Sequence, residues 1–296
     1  MSIALTTTVL AVALGACGGG ADTAEPAAPA LAADPSVVAL LPAPVKERGT
    51  LRVAVPDTGA PLGYQENGEL RGMDPALGEA VAQVMGLRYE PEMVPFASAI
   101  PGLQADRYDI AYGQFYVTAE RVQVVDFVTD WRDFSSFIVP SGSQFQPQSL
   151  ADACGRSIGA MDGSVELQFL NDAQADCTSA GRPQIAISAF PSISAGVLAL
   201  GSDRVEGVLT GRGAAENAVA QGQPFDIVGE IGGGPTATAV ARTADSDQML
   251  AAVQKAYEVL IADGAYRQIL DANNTAYGAI DDPTVYTRGA SLPTYQ

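Results

Sequence analysis

Arg121 is the residue best suited to do chemistry in this sequence, and anion recognition is the chemistry it suits. It lies in the stretch from Ala99 to Phe127. The pattern there predicts a helix, a strand over Tyr108–Tyr112, a loop over Gly113–Tyr116, a short helix and another strand. Thr118 fits the N-cap of the short helix, which puts Ala119, Glu120 and Arg121 in its first turn. A helix N-terminus already carries about half a positive charge, so an arginine there is misplaced unless an anion sits opposite. A carboxylate would meet free backbone N–H groups and the guanidinium fork together. The competing arrangement is a surface arginine paired with Glu120 or Asp126.

Asp162-Gly163-Ser164 forms a second cluster, at a predicted strand-to-helix turn. Gly163 permits close backbone approach, and Ser164 can donate to a ligand or serve simply as an N-cap. Asp162 can accept from a ligand ammonium or act as a helix-dipole partner. Gly211-Arg212-Gly213-Ala214-Ala215-Glu216 approaches a dinucleotide fingerprint. Glu216 stands where its third glycine belongs, and no acidic ribose partner follows at the expected distance, so that function is dismissed.

Ile100-Pro101-x-Leu103, Tyr108-Asp109, Thr118-x-Glu120-Arg121 and Val125-Asp126-Phe127 occur in that order. In this the chain resembles the family 3 solute-binding proteins of bacterial ABC transporters, the amino-acid receptors of the cell envelope. The likeness runs from Thr50-Leu51-Arg52-Val53 to Asp263-Gly264-Ala265-Tyr266. It implies that Arg121, with Thr118 beside it, holds a ligand's α-carboxylate. It also implies that Asp162-Gly163-Ser164, where relatives carry a Gln-Gly-Thr-like sequence, adds to carboxylate binding.

The chain departs from the family in two places. Many relatives carry an acid after the strand Val-Asp-Ala-Val-Leu, where it pairs with the α-ammonium. Here the run is Val205-Glu206-Gly207-Val208-Leu209-Thr210-Gly211-Arg212, and the acidic position falls on Gly211. An unpaired buried ammonium is costly, so its acceptor is Asp162, Asp57 or a carbonyl near Gln114, or else the ligand lacks an amine. Arg212 either meets a second acidic group or faces solvent. The lid aromatic of relatives aligns with Gly59, leaving Phe96, Phe115 or Tyr116 to supply stacking surface or to be plain core. Tyr116 would narrow the pocket while keeping a hydroxyl donor.

The elements that must position these groups alternate between strand and helix. Thr50–Val55 is a strand. Asp74 caps a helix that begins at Pro75, carries Leu77, Val81 and Met85 on one face and stops at Gly86. Arg88–Val94 and Ser136–Val139 are extended, with a helix over Ser98–Ala105. A second alternation begins with the strand Ser157–Ala160 and continues to Phe225–Val228. After Gly232-Gly233-Gly234-Pro235 come an extended run over Thr236–Ala241 and a long amphipathic helix, Asp247–Ala262.

Such alternation predicts α/β architecture with parallel strands, as one wide sheet or two lobes. The resemblance implies a two-lobed periplasmic-binding-protein-like fold (type II). Lobe 1 would be 46–138 plus 241–296 and lobe 2 139–240, with crossover hinges near 139–143 and 236–243. Ligands of open α/β sheets lie beyond the carboxyl ends of the strands, so the loops after Tyr112, Ala160 and Leu209 should face one another.

Composition narrows what such a site can serve. The chain has no histidine, which excludes a Ser-His-Asp triad, a Cys-His pair and histidine metal sites. Hydrophobic residues at 47% exclude a disordered chain, and a net charge of −18 argues against nucleic acid or an anionic membrane as partner. Residues 1–16 have the apolar run of a signal peptide, though without a preceding Lys or Arg. Leu14-Gly15-Ala16-Cys17 resembles a lipobox, which implies a lipid on Cys17 and a flexible tether over 17–45. Cys154 and Cys177 would then meet an oxidising compartment, where a disulfide is the natural pairing and two free thiols the alternative. The tail from Ala276 to Gln296 shows no pattern.

The expectation is a monomeric binding protein without cofactor or catalysis. It would be exported and lipid-anchored on the outer face of the cell membrane, or on the periplasmic side in a diderm. It would capture a small carboxylate solute, an amino acid or analogue, and deliver it to an ABC permease. The alternatives are an enzyme like the cyclohexadienyl dehydratases, with a cleft acid acting on a prephenate-like substrate, and a sensory ligand-binding domain.

Overall fold

The structure is a computed structural model that describes residues 31–295. It opens with α1 (Pro35–Leu40), α2 (Ala43–Arg48) and β1 (Thr50–Pro56), then the hairpin β2 (Tyr64–Glu66) and β3 (Glu69–Arg71). Next come α3 (Met73–Val84), β4 (Arg88–Val94), α4 (Phe96–Gln104), β5 (Ile110–Tyr116) and the 15-residue β6 (Asp126–Pro140). The second alternation is β7 (Ser157–Met161), α5 (Val165–Ser179), β8 (Ala186–Phe190), α6 (Ile193–Gly201), β9 (Gly207–Gly211), α7 (Arg212–Ala220) and β10 (Phe225–Val228). The chain returns through β11 (Gly233–Val240), α8 (Ser246–Ala262) and α9 (Ala265–Ala272) to the short β12 (Val285–Tyr286).

Two sheet regions share β6. In the first the order is β4-β1-β5-β11-β6, with β1 parallel to β4 and β5, and β11 antiparallel to its neighbours. In the second β6 pairs with β9 and β10, and the order continues β9-β7-β8. β6 keeps β11 as partner through Phe134 and takes β9 from Ser135. The return passes beside it, with Ile231 N donating to Ser135 O at 2.6 Å. The crossings therefore lie near Phe134–Ser135 and Ile231–Gly233, upstream of the 139–143 and 236–243 expected. Phe137 and Val139 are the reason: they are fully buried in the second lobe's core and belong to its sheet.

The first lobe's core joins Leu51, Val53, Leu77, Val81, Val253 and Tyr257, all fully buried. Burying each such side chain contributes about 1.5–3 kcal/mol. The N-terminal tether expected over 17–45 is corrected over its last part. Asp34 caps α1 by accepting from Ser36 N at 2.8 Å and donates its own N–H to Val84 O at 2.8 Å. Val37 and Leu41 are buried in the same core, so the chain is docked from Leu31 onward. Residues 1–16, Cys17 and the start of the tether lie outside the described residues. In α3, Gly72 takes the N-cap place expected of Asp74, which is buried in the first turn. Cys154 and Cys177 form a disulfide with a Cα–Cα distance of 5.5 Å.

Candidate functional site

The carboxyl ends of β1, β5, β7 and β9 converge on one narrow cavity of about 40 Å³. Thr58, Phe96, Gln114, Tyr116 and Arg121 line it from the first lobe, and Ser164, Glu166, Thr210 and Gly211 from the second. Asp133, next to the crossing on β6, lines it as well. This is where open α/β sheets place their ligands.

The route to Arg121 differs from the expected one. Only a single 3₁₀ turn, Arg121–Gln123, follows Thr118, in place of a short α-helix. Its N-cap is Glu120, not the expected Thr118, although Thr118 Oγ1 accepts from Arg121 N at 3.2 Å. Arg242 fastens the turn by donating to the carbonyls of Val122, Gln123 and Val125 and by pairing with Asp126. One turn is too short to carry a macrodipole, so the expected positive helix end is not beside Arg121.

The guanidinium itself donates from Nη1 to Tyr116 O and from Nη2 to Gly163 O, each at 2.9 Å. It lies 5.8 Å from the ring of Phe96 and 5.6 Å from that of Phe115. Among the described residues no carboxylate pairs with it: Asp126 is taken by Arg242, and Glu120 is exposed. Burial pulls its pKa below the usual arginine value, with Glu166 pulling the other way. Carbonyls and aromatic faces hold the group without neutralising it, so its full charge is available to a carboxylate.

Gln114 reaches the cavity through a bulge. β5 runs on through the segment expected to be a loop, but Gly113 and Gln114 take φ of 131° and 51°, and the register against β11 slips between Ala237 and Ala239. A bulge re-aims a side chain. Gln114 Nε2 then donates to Asp74 Oδ1 at 2.5 Å, which leaves its amide oxygen as an acceptor. Burial pushes Asp74 up to about 7.

In the second lobe, Ser164 caps α5 by accepting from Leu167 N at 3.2 Å, and its hydroxyl lines the cavity. Gly163, at φ 74°, brings the second lobe against the first: a Cβ there would stand 3.1 Å from both Ala97 Cα and Cβ. Phe96 and Tyr116 line the cavity, while Phe115 is fully buried behind Arg121. The Tyr116 hydroxyl is buried without a well-formed hydrogen bond, and Asp133 and Glu166 raise its pKa further than burial already does. Five other expected residues are outside the cavity lining, and two of them, Thr118 and Gly163, instead accept from Arg121. Asp162 is exposed and outside the cavity. Asp57 lines a second pocket, which shares Ile193 and Ala214 with the first. Arg212 turns outward to Glu216, at 2.7 Å.

Two acids that no local motif marks complete the cavity, Asp133 and Glu166. Both are buried and both line the cavity. Glu166 Oε1 accepts from Ser135 Oγ at 2.8 Å. Asp133 Oδ2 occupies the place a side chain on Gly211 would fill, since a Cβ built there collides with it. Gly211 caps α7 without a side-chain bond, and the Gly213 N–H of that helix is directed at Asp133 instead. Burial pushes Asp133 up to about 7, with repulsion from Glu166 adding to it, against the pull of the Phe134 and Gly213 N–H groups and the Tyr277 hydroxyl. Among the described residues no cluster of His, Cys, Asp or Glu forms a metal site.

Two α/β lobes joined by paired crossing strands, with an arginine and acids facing one cavity between them, define a type II periplasmic-binding-protein fold. The sequence profile of the bacterial extracellular solute-binding proteins, family 3, matches residues 51–274, and the chain belongs to that family. It is 23% identical over 255 residues to the arginine-binding protein ArgT of Corynebacterium glutamicum, covering 85% of this chain and 83% of that one. An ancestral arginine-binding protein bound to arginine superposes with a TM-score of 0.70 at 31% identity, covering 76% of this chain and 98% of its own. An ancestral amino-acid-binding protein, AncCDT-1, a precursor of cyclohexadienyl dehydratase, shares the fold at 20% identity and a TM-score of 0.66, over 78% of this chain and 97% of its own.

Proposed function

We propose that this protein captures an amino acid with a cationic side chain for an ABC importer, releasing it unchanged to the permease. The observation that carries this is the opposition of Arg121, with which no acid among the described residues pairs, to the two buried acids Asp133 and Glu166 in one cavity. Arg121 takes the α-carboxylate, helped by the Ser164 hydroxyl. Asp133 takes the α-ammonium. Glu166 and the Gln114 amide oxygen remain for a second cation, and with it the charges in the cavity balance. The arginine-binding relatives support the same ligand class. Closure would be a rigid movement of the lobes about the paired crossings near Phe134–Ser135 and Ile231–Gly233.

Export and a lipid on Cys17 fit the family's extracellular setting, with residues 17 to about 30 as the tether. No described helix is long and apolar enough to cross a membrane. A monomer suffices for this role, since one chain supplies every group used.

The deciding experiment is calorimetric titration with arginine, lysine, glutamine and glutamate. The basic pair should bind tightest and glutamate worst; a preference for glutamate, or no binding of any amino acid, sinks the proposal. A second reading, a dehydratase, rests on Asp133, because a buried carboxyl raised toward neutrality is what a general acid needs. Loss of prephenate on incubation with the protein would favour it.

A further inference from the structure

The family match ends at residue 274, yet the chain beyond it is seated on the site. Thr284 N donates to Thr129 Oγ1 at 2.7 Å, and β12 pairs with β6 at Val128 and Phe127. Tyr295 spans the structure beside the crossings: its hydroxyl accepts from Val117 N at 2.6 Å and donates to Pro235 O at 3.0 Å, and its ring meets that of Tyr116 at 4.5 Å. Tyr277 is the member nearest the chemistry. Its ring packs edge-on against Trp131 at 5.1 Å, and its hydroxyl donates to Asp133 Oδ1 at 3.1 Å. A Cβ on Gly213 of the second lobe would stand 3.1 Å from that hydroxyl.

We propose that the segment after the family domain is part of the binding machinery, and that Tyr277 is a positioning residue for the ligand's α-ammonium. It acts through Asp133. By donating to Oδ1 it turns the carboxylate so that Oδ2 stands at the Gly211 position, facing the cavity, and it favours the ionised acid that an ammonium requires. The inference rests on the amino-acid reading of the site. The charged and titratable groups around Asp133 are Glu166 of α5, Tyr116 of β5 and Tyr277 itself, with Arg212 and Glu216 of α7 acting on Tyr277.

The test measures affinity by calorimetry between pH 5.5 and 8.5 for arginine and for 5-guanidinopentanoate, the same molecule without its amine. Tyr277→Phe keeps the ring against Trp131 and removes only the hydroxyl. It should weaken arginine by about tenfold at pH 7, leave the amine-free analogue within about twofold, and move the midpoint of the pH dependence upward. Replacing Tyr277 with 3-fluorotyrosine, a near-isosteric and stronger donor, should move affinity and midpoint the other way. Equal losses for both ligands, or no change with either variant, overturn the positioning role. Failure of the wild-type protein to bind any amino acid overturns the receptor reading itself, and the role of Tyr277 with it.

Discussion

Asp133 fills the space that a side chain on Gly211 would occupy. The two residues sit on neighbouring strands, Gly211 opposite Ser135, so the acid and the glycine share one corner of the cavity. The resemblance implies an ammonium acceptor at the position of Gly211; this chain supplies a carboxylate to the same point from β6. A Cβ on Gly211 would meet Asp133 Oδ2, so the carboxylate would have to swing out of its present place. Gly211→Ala should weaken amino-acid binding by at least about tenfold, and Asp133→Ser by more, since it removes the charge that an ammonium needs. The double variant Asp133→Ser/Gly211→Asp returns the acid to its place in relatives, and should recover most of the loss in a calorimetric titration. A double variant no better than Asp133→Ser alone would show that the two positions are not interchangeable.

Arg121 contributes charge, and it also contributes the planar fork that makes two bonds at once. Arg121→Ala should lower affinity by about a hundredfold or more, with only a modest drop in the melting temperature of the ligand-free protein, because among the described residues its guanidinium bonds two carbonyls and lies by two aromatic rings but forms no ion pair. Arg121→Lys should recover the charge and not the geometry, landing between the two. Thermal shift with and without arginine reads both, as bound ligand stabilises by mass action. Full retention of the shift in Arg121→Ala would remove the guanidinium from the site.

The sequence exposed those parts of the site that depend on local pattern. Arg121 and Ser164 follow strand ends in short motifs, and local pattern was enough to find them. Asp133 was hidden because its role is set by which strands flank β6, a long-range fact. One signal was nonetheless present: Asp130 and Asp133 interrupt an apolar strand, and acids in such a place are buried with a purpose or not at all. Glu166 was masked by its first-turn position in α5, where an acid needs no further reason. The crossings were displaced because Phe137–Val139 is apolar in either lobe, so hydropathy could not say where one ends. Residues 34–45 were absorbed into the tether although Asp34-Pro35 is a helix-start signal. The tail has no periodicity, since its tyrosines contact separate partners one at a time.

The disulfide closes a loop across the edge of the second lobe, joining residues 23 apart. In the chain-entropy model a loop of that size contributes about 3 kcal/mol. Cys154→Ser/Cys177→Ser should lower the denaturant midpoint accordingly, without altering ligand selectivity, because neither cysteine lines the cavity. Chemical denaturation of oxidised, reduced and double-variant protein checks this; equal midpoints would mean that the bridge is dispensable.

Protons should couple to both stability and binding, with opposite slopes. Asp74, Asp130 and Asp133 are each pushed by burial to about 7 in the fold, against about 3.9 in an unfolded chain. Between those values the folded chain holds more protons than the unfolded one. Ligand-free stability must therefore fall as pH rises from about 4 to about 7, and melting temperature should drop across that window. Binding runs the other way. An ammonium on Asp133 favours the ionised acid, so capture expels a proton below pH 7, and affinity should rise with pH by up to about tenfold per unit until Asp133 is already ionised. Asp130 is occupied by Thr236 and Thr238 and is not among the groups lining the cavity, so it should affect stability alone. Calorimetry at pH 6 in two buffers of different ionisation enthalpy should count about one proton released per arginine bound. Asp133→Asn should abolish that release and flatten the affinity profile. A slope that survives in Asp133→Asn would assign the proton to Asp74, acting through Gln114, and take the ammonium away from Asp133.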